Sequence, residues 1–297
     1  MNLLQEATGK AYTTLREVLW NSPLVRYPLT ANLLIRLGYL TRRWLHLVPN
    51  EEAIGMVNGH KMWFSSGSEC YYDMTRGTWE PGVTRLFEDL LQPGMVMVDV
   101  GAHIGYFTLL AARKVGPTGR VYAFEPAPHS YALLAKNIAL NGYENVVPVQ
   151  KAVSDRPGTA SFFLHPNEVG HSLHPETLGR STTLITVETT TLDDFFEEQG
   201  WPPVHLVKMD IEGAEPAALK GMAEVLRRSQ NLWLIFEYIP RILQRAGEDP
   251  YQLLERVRGL GFSIQNITDH RGLQPLTHAI ARDSDVRAEL LCKRNPS

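Results

Sequence analysis

The chain has 297 residues, 44% apolar and 21% charged, an ordinary globular composition that excludes a disordered or fibrous protein. Lys plus Arg number 29 against 32 for Asp plus Glu, a net charge of −3, so the surface as a whole is not built to hold nucleic acid. Two cysteines, Cys70 and Cys292, cannot supply a disulfide scaffold or a four-thiolate metal site, and a cytoplasmic protein is the simpler expectation.

The charge is unevenly spread. Residues 1–48 hold six Lys or Arg against Glu6 and Glu17, so this stretch carries +4 and the remainder −7. Leu33, Leu34, Leu37, Leu40, Trp44, Leu45 and Val48 recur at three- and four-residue steps, one face of a helix, and Pro23 and Pro28 break any helix before it. Met1 to Lys10 lacks the apolar core of a signal segment, and no apolar run reaches the roughly 20 residues that span a bilayer. The arm reads as a lid or homodimer contact. Peripheral contact with an anionic membrane surface is the weaker alternative, because its arginines are scattered rather than clustered. From Glu51 to Phe64, an alternating stretch around Asn58-Gly59 predicts a hairpin. Residues 1–91 are therefore expected as a helical and hairpin accessory segment, and 92–297 as one domain.

Within that domain, Met95–Val100, Arg120–Phe124 and Asn145–Gln150 predict strands, separated by helices over Tyr106–Lys114 and Ser130–Asn141. Residues 158–191 predict a β insertion after the third strand. Its two alternating stretches, Thr159–Leu164 and Thr183–Thr190, flank a polar substrate loop from His165 to Arg180. Strands at Val204–Met209, Asn231–Phe236, Phe262–Ile267 and Glu289–Lys293 come next, with helices over Pro216–Arg228 and Pro250–Gly259. Such alternation argues for an α/β fold, a mostly parallel sheet with helices on both faces and its ligand beyond the carboxyl ends of the strands.

The chemistry should then lie just after the strands. Asp99-Val-Gly101-Ala-His103-Ile-Gly105 ends the first strand and opens a helix. Glycines there let backbone approach a ligand, and the helix start offers free N–H donors. Twenty residues after Gly105, Glu125 ends the second strand, where a carboxylate accepts from ribose hydroxyls. Both a nicotinamide dinucleotide and S-adenosylmethionine fit so far. His103, however, stands where the dinucleotide fingerprint has its second glycine. Asp99 suits the ammonium and sulfonium of a methyl donor and repels a pyrophosphate, so the methyl donor is preferred. The fourth strand leads into Lys208-Met-Asp210-Ile-Glu212-Gly-Ala-Glu215. Glu212 and Glu215 favour the positive end of a helix; Asp210 is not needed for capping and reads as functional.

These residues carry a resemblance. Pro93-Gly94, the Asp99–Thr108 block, Ala123-Phe-Glu125-Pro126-Ala-Pro, Asn137-Ile-Ala-Leu-Asn141 and Lys208–Glu215 together resemble the FkbM family of methyltransferases, in the family's order from about Trp79 to Tyr238. The resemblance implies a class I, Rossmann-like fold with a seven-stranded sheet, S-adenosyl-L-methionine as cofactor, and transfer to a hydroxyl oxygen of a small molecule. Specialised metabolites, sugars and glycolipid-type acceptors are all in scope. Many members carry Asn where this chain has His103. By resemblance, Asp99, Gly101 and Gly105 line the methionine end of the donor, Glu125 holds the ribose, Ala152 and Asp155 border the adenine, and His103, Pro126 and Asp210 also touch the donor; Asp155-Arg-Pro-Gly158 reads equally well as a plain turn.

A hydroxyl acceptor must lose a proton. Candidate bases are Asp210, then His103, then His171 or His174 of the insertion loop. Trp79, Glu80, His171, Ser172, Glu212, Glu237 and Tyr238 are expected to wall the acceptor pocket, with Tyr106 and Trp201 as further aromatic surface. A divalent cation between Asp210 and Glu237 is an alternative to which no metal site is assigned. The rival readings are a nicotinamide-dependent oxidoreductase, a non-catalytic binding module on the same fold, and an RNA methyltransferase. The acidic body weighs against the last.

Overall fold

A computed structural model describes residues 52–65, 70–77, 79–165, 171–174 and 183–294. The chain divides into two units, residues 1–53 with 65–67 and residues 54–64 with 68–297. The basic arm lies outside the described residues, and nearly all of the described ones belong to the second unit. Among the described residues no helix is long and apolar enough to cross a membrane.

Asn58 and Gly59, both at positive φ, turn the chain between β1 (Glu52–Val57) and β2 (His60–Ser65), the hairpin expected there. Helices α1 (Cys70–Thr75) and α2 (Pro81–Leu90) come next. The chain then runs through β3 (Val96–Val100), α3 (Tyr106–Val115), β4 (Arg120–Phe124), α4 (Pro128–Leu140) and β5 (Val146–Val149). Val57, Met62, Phe64, Val83, Leu86 and Phe87 are buried in one cluster with Met97, Leu109 and Leu110. Residues 54–91, grouped by sequence with the accessory segment, thus share the core of the domain. Asn137 and Asn141, one helical turn apart near the end of α4, explain part of that attachment. Asn137 Nδ2 donates to Trp63 O (3.1 Å) and Ile104 O (2.8 Å), and Asn141 Nδ2 donates to Lys61 O (2.8 Å). These amides stand in for a neighbouring strand and satisfy the backbone of β2.

The insertion comprises β6 (Ala152–Val153), β7 (Gly158–Leu164) and β8 (Thr183–Thr190), which form a separate three-stranded sheet in the order β6-β8-β7. Then come α5 (Leu192–Glu198), β9 (Leu206–Met209), α6 (Glu215–Lys220), α7 (Ala223–Arg228), β10 (Trp233–Tyr238), α8 (Pro240–Arg245) and α9 (Pro250–Gly259). The chain closes with β11 (Phe262–Thr268), β12 (Gly272–Pro275), α10 (His278–Arg282) and β13 (Ala288–Arg294). One helix is expected over 216–228, but Gly221 divides it into α6 and α7. A Cβ at Gly221 would lie 2.0 Å from Ser154 O, so the chain passes too close for any other residue.

The main sheet has the order β12-β11-β13-β10-β9-β3-β4-β5. Seven of these strands are the expected ones. The eighth, β12, folds back antiparallel on β11 as a short edge strand; its Gly-Leu-Gln-Pro sequence has no apolar alternation to announce it. β5, β4, β3, β9 and β10 run parallel, and β13 enters antiparallel between β10 and β11. Alternate residues of β3 face opposite cores: Met97 joins α3 and the hairpin, while Val96, Val98 and Val100 pack with β9, β10 and α6. From β3 the chain winds outward to β5 and then returns to β9 on the other side. The carboxyl ends of β3 and β9 therefore border a switch point, where an open α/β sheet leaves a crevice.

Candidate active site

A cleft lies at that point. β3 and β9 run in register, Asp99 beside Lys208 and Val100 beside Met209, so the parallel ladder itself brings two distant charges together. Beyond β3 the chain turns at Gly101, whose φ is +84°. A Cβ there would lie 2.0 Å from Asp210 O; the loops after β3 and β9 touch, and only glycine permits it. Gly101 N and Ala102 N both donate to Phe124 O, which ties this loop to β4 (3.0 and 2.9 Å). His103 has φ +50°, a left-handed conformation that Asn and His tolerate better than most residues. Its backbone N–H donates to Glu125 Oε2 (2.8 Å). The position that carries Asn in many resembling proteins is thus selected first for its backbone. Gly105 (φ +96°) caps α3, and a Cβ there would strike Leu134 Cδ1 at 2.7 Å.

The carboxylates differ in how they are held. Glu125 accepts from His103 N on Oε2 and from Ala127 N on Oε1, both at 2.8 Å, so each oxygen keeps lone pairs for a diol. Burial raises its pKa to about 7 in the empty protein, against the two backbone donors. Asp99 is buried and accepts from Thr108 Oγ1 at 2.6 Å; burial raises its pKa too, with Lys208 opposing. Lys208 Nζ lies 3.1 Å from Asp210 Oδ2, 3.9 Å from Glu80 Oε2 and 4.6 Å from the Phe107 ring centroid. Burial works against its charge, but Asp210, Glu80, Glu289 and Asp99 hold the ammonium firmly protonated. For Asp210, burial would raise the pKa, yet Lys208 more than offsets it and the carboxyl titrates below its usual range. Glu215 is buried and accepts from Ile211 N and Gly213 N, closing the turn before α6; burial lifts it to about 8.

Asp99, Gly101, His103, Glu125, Pro126, Ala152, Asp210, Glu212, Trp79, Glu80 and His171 all line the cleft, as expected for them. Ser172 has a different job: its Oγ donates to Glu212 O (2.9 Å), hooking the insertion loop to the segment after β9. His171 Nδ1 accepts from His165 N (2.9 Å), which leaves its proton on Nε2. Burial, then the neighbouring histidines, lower its pKa to about 4, so it is neutral near pH 7 and a weak base.

Other expectations are corrected. Asp155 is exposed in the turn between β6 and β7 and does not line the cleft; the Asp-Arg-Pro-Gly turn directs it to solvent. Tyr238 is fully buried and its hydroxyl donates to Ala281 O (2.8 Å), so it is core rather than acceptor wall. Trp201 stacks under Arg228 (4.4 Å) at a separate surface hollow. Glu237 lies behind the cleft, with Arg287 Nε at 2.6 Å from its Oε1. Carboxylate oxygens of Asp210, Glu212 and Glu237 come within 4.8 Å of one another. Oxygen sets of this kind suit a divalent cation, but Lys208 and Arg287 already stand against Asp210 and Glu237, and no step is assigned to a metal. Sequence reasoning missed Arg287 in the cleft wall and gave Lys208 no part of its own. The signal for Lys208 was present, a lone cation inside a fully buried strand; Arg287 lies in a polar stretch with no such signal.

The matched family model is the methyltransferase FkbM domain, over residues 99–264. This chain belongs to the FkbM methyltransferase family. Methyltransferase sdnD of Sordaria araneosa is 34% identical over 157 residues, covering 43% of this chain and 60% of its own. The hexuronic acid methyltransferase AglP of Haloferax volcanii is 30% identical, covering 50% and 58%. The 31-O-demethyl-FK506 methyltransferase FkbM of Streptomyces tacrolimicus is 32% identical, covering 45% and 62%. The chain thus spans about 60% of the length of these curated relatives. FkbM membership implies S-adenosyl-L-methionine as the methyl donor and removes the ground for a nicotinamide oxidoreductase. The cleft fits that donor: Glu125 offers two oxygens for a diol, and Asp99 adds a buried acid to the same wall for an ammonium or sulfonium.

Proposed function

We propose that this chain transfers a methyl group from S-adenosyl-L-methionine to a hydroxyl oxygen of a small, polar acceptor of the sugar, glycolipid or specialised-metabolite kind. The observation that carries the reading is the convergence of Asp99, Glu125 and Asp210 from the ends of β3, β4 and β9 on one glycine-lined cleft. The activities named for two relatives, on a hexuronic acid and on 31-O-demethyl-FK506, support the acceptor class.

The donor, when bound, supplies an electrophilic methyl on sulfur. Glu125 would take the ribose diol and Asp99 the ammonium, while Gly101 lets the loops after β3 and β9 meet beside them. In-line alignment can supply much of the rate, since effective molarities of well-oriented groups reach about 10⁵–10⁸ M. Asp210, paired with Lys208, stays ionised and would set a negative field in the cleft that favours a cationic donor. Met74, Phe107, Phe124 and Phe162 line the remaining wall and exclude water. The test is methyl transfer from labelled S-adenosylmethionine to glycosides, uronic acid glycosides and polyketide alcohols. Label appearing as an ether supports the reading; transfer only to amines or to RNA contradicts it.

A further inference from the structure

Glu80 combines features that other acids of the site show singly: Glu212 also has a positive φ, 51°, and Glu237 and Glu289 each bury an oxygen with no hydrogen-bond partner among the described residues. Glu80, with φ 38° and ψ 59°, is a non-glycine residue in the left-handed region, a conformation that works against stability. It occupies the N-cap of α2, yet its side chain makes no capping bond. Oε2 is buried and has no hydrogen-bond partner among the described residues; the Lys208 ammonium is 3.9 Å away. Strain, a missing cap and an unsatisfied acceptor all work against stability, so the arrangement calls for a role outside the fold.

The position of Glu80 supplies that role. With Trp79 and Arg287 it lines both the donor cleft and a second, open cavity, which lies between the start of α2 and strands β11 and β13. Asn266, Asp269 and Glu289 make that second cavity polar. The turn that presents Glu80 is fixed: Tyr106 Oη and Thr84 Oγ1 both donate to Trp79 O (3.4 and 3.3 Å), and Asp269 Oδ1 accepts from Gly82 N (2.9 Å).

We propose that Glu80 is the general base of the transfer, and that the acceptor hydroxyl enters from the second cavity to meet the donor across its carboxylate. The inference rests on the hydroxyl reading above. The acceptor oxygen forms a bond to the methyl carbon while the methyl–sulfur bond breaks and its electron pair stays on sulfur. The hydroxyl proton passes to Glu80 Oε2. The products are an ether, a neutral thioether and a protonated Glu80.

Burial places this carboxyl at about 7, in spite of Lys208 and Arg287, and Asp210 and Asp99 add to the rise. The charged and titratable groups around it are Lys208 of β9, Asp210 beyond β9, Asp99 of β3, Tyr106 of α3, and Arg287 and Glu289 at β13. A base poised near neutrality is better matched to a hydroxyl than Asp210, which Lys208 holds low, or His171 at about 4. Glu212, also raised to about 7, lines the donor cleft but not the second cavity, so Glu80 is chosen by its position between the two.

Two readouts on the full chain test this. In ¹³C-carboxyl spectra, with the Glu80→Gln variant assigning the signal, Glu80 should titrate near neutrality. Its midpoint should lie about half a pH unit or more lower with S-adenosylmethionine than with S-adenosylhomocysteine, because only the former carries a sulfonium beside it. A midpoint in the ordinary glutamate range, or one indifferent to that charge, overturns the proposal. Against the glycoside panel, Glu80→Gln should lose about 100-fold or more in kcat, keep KM for the donor within about twofold and lose the pH dependence, with Glu80→Asp recovering part. Full kcat in Glu80→Gln overturns it as well. If the wild-type chain methylates no glycoside, the acceptor reading fails by itself, while the carboxyl titration still decides the placement of Glu80.

Discussion

The two ends of the crevice hold their carboxylates in opposite ways. At the proposed donor end, Glu125 and Asp99 come from adjacent strands 26 residues apart in sequence, and each accepts hydrogen bonds from the protein itself. At the proposed acceptor end, Glu80, Glu289 and Arg287 come from segments some 200 residues apart, and buried oxygens of Glu80 and Glu289 have no hydrogen-bond partner among the described residues. A satisfied carboxylate is a preformed cradle. An unsatisfied one carries its desolvation penalty until a hydroxyl arrives, and that penalty is available to drive a proton transfer.

The largest test of this contrast is Lys208→Met. It leaves Asp210 and Glu80 without their shared cation, and loss of one partner from a buried pair costs roughly 3–5 kcal/mol. Denaturant unfolding should show that loss; an unchanged midpoint would mean that the acceptor end tolerates bare carboxylates. Gly101→Ala comes next. A Cβ 2.0 Å from Asp210 O at positive φ should cost about 3 kcal/mol and abolish S-adenosylhomocysteine binding, measured by unfolding and calorimetry on the same sample. Glu125→Ala separates binding from folding: donor affinity should fall about 10- to 100-fold, the loss of roughly 1.5–3 kcal/mol of hydrogen bonds to a charged group.

The pH dependence comes from the raised carboxyls. Glu125 (about 7) and Glu215 (about 8) titrate above their unfolded value of about 4.5. Their contribution to stability is therefore complete below pH 4.5 and is lost as pH rises through 7 and 8. Asp210, shifted the other way, contributes above its unfolded value and loses that contribution in acid. The empty protein should lose stability between about pH 5 and 8, and Glu215→Gln should flatten that slope; a rise over the same range would contradict the assignment. The smallest effect is Tyr238→Phe, which removes one buried hydrogen bond to Ala281 O, about 1 kcal/mol, and should leave donor binding unchanged. A loss of donor affinity would return Tyr238 to the ligand wall.

How far the sequence could be read tracks the same contrast. The donor end is legible because its residues sit in short contiguous blocks after strands whose apolar runs are unmistakable, so Asp99, Gly101, Glu125 and Asp210 need only the rule that ligands gather at strand ends. The placement of Asp155 fails because a turn carries the same residues whether it faces a ligand or solvent. Tyr238 fails because the residue ending a strand can point to either side of the sheet, and the choice is made by packing against α10. Asn137 and Asn141 are visible in sequence only as a spacing; that they satisfy a distant hairpin is a tertiary fact. Arg287 and the second cavity depend on β13 inserting between β10 and β11, a register no local pattern records. Glu80 is expected in the wall, but its strain and its unsatisfied oxygen exist only in three dimensions.

A cleft built for S-adenosylmethionine, with Glu125 holding the ribose, makes a quantitative demand on binding. Calorimetric titration with S-adenosylhomocysteine, on the wild-type chain and on Glu125→Ala, tests it most directly, with NAD as the competitor. The expected result is one site with a Kd on the order of micromolar, weakened at least tenfold by Glu125→Ala, and no binding of NAD. Binding of NAD, or S-adenosylhomocysteine affinity indifferent to Glu125, would contradict it.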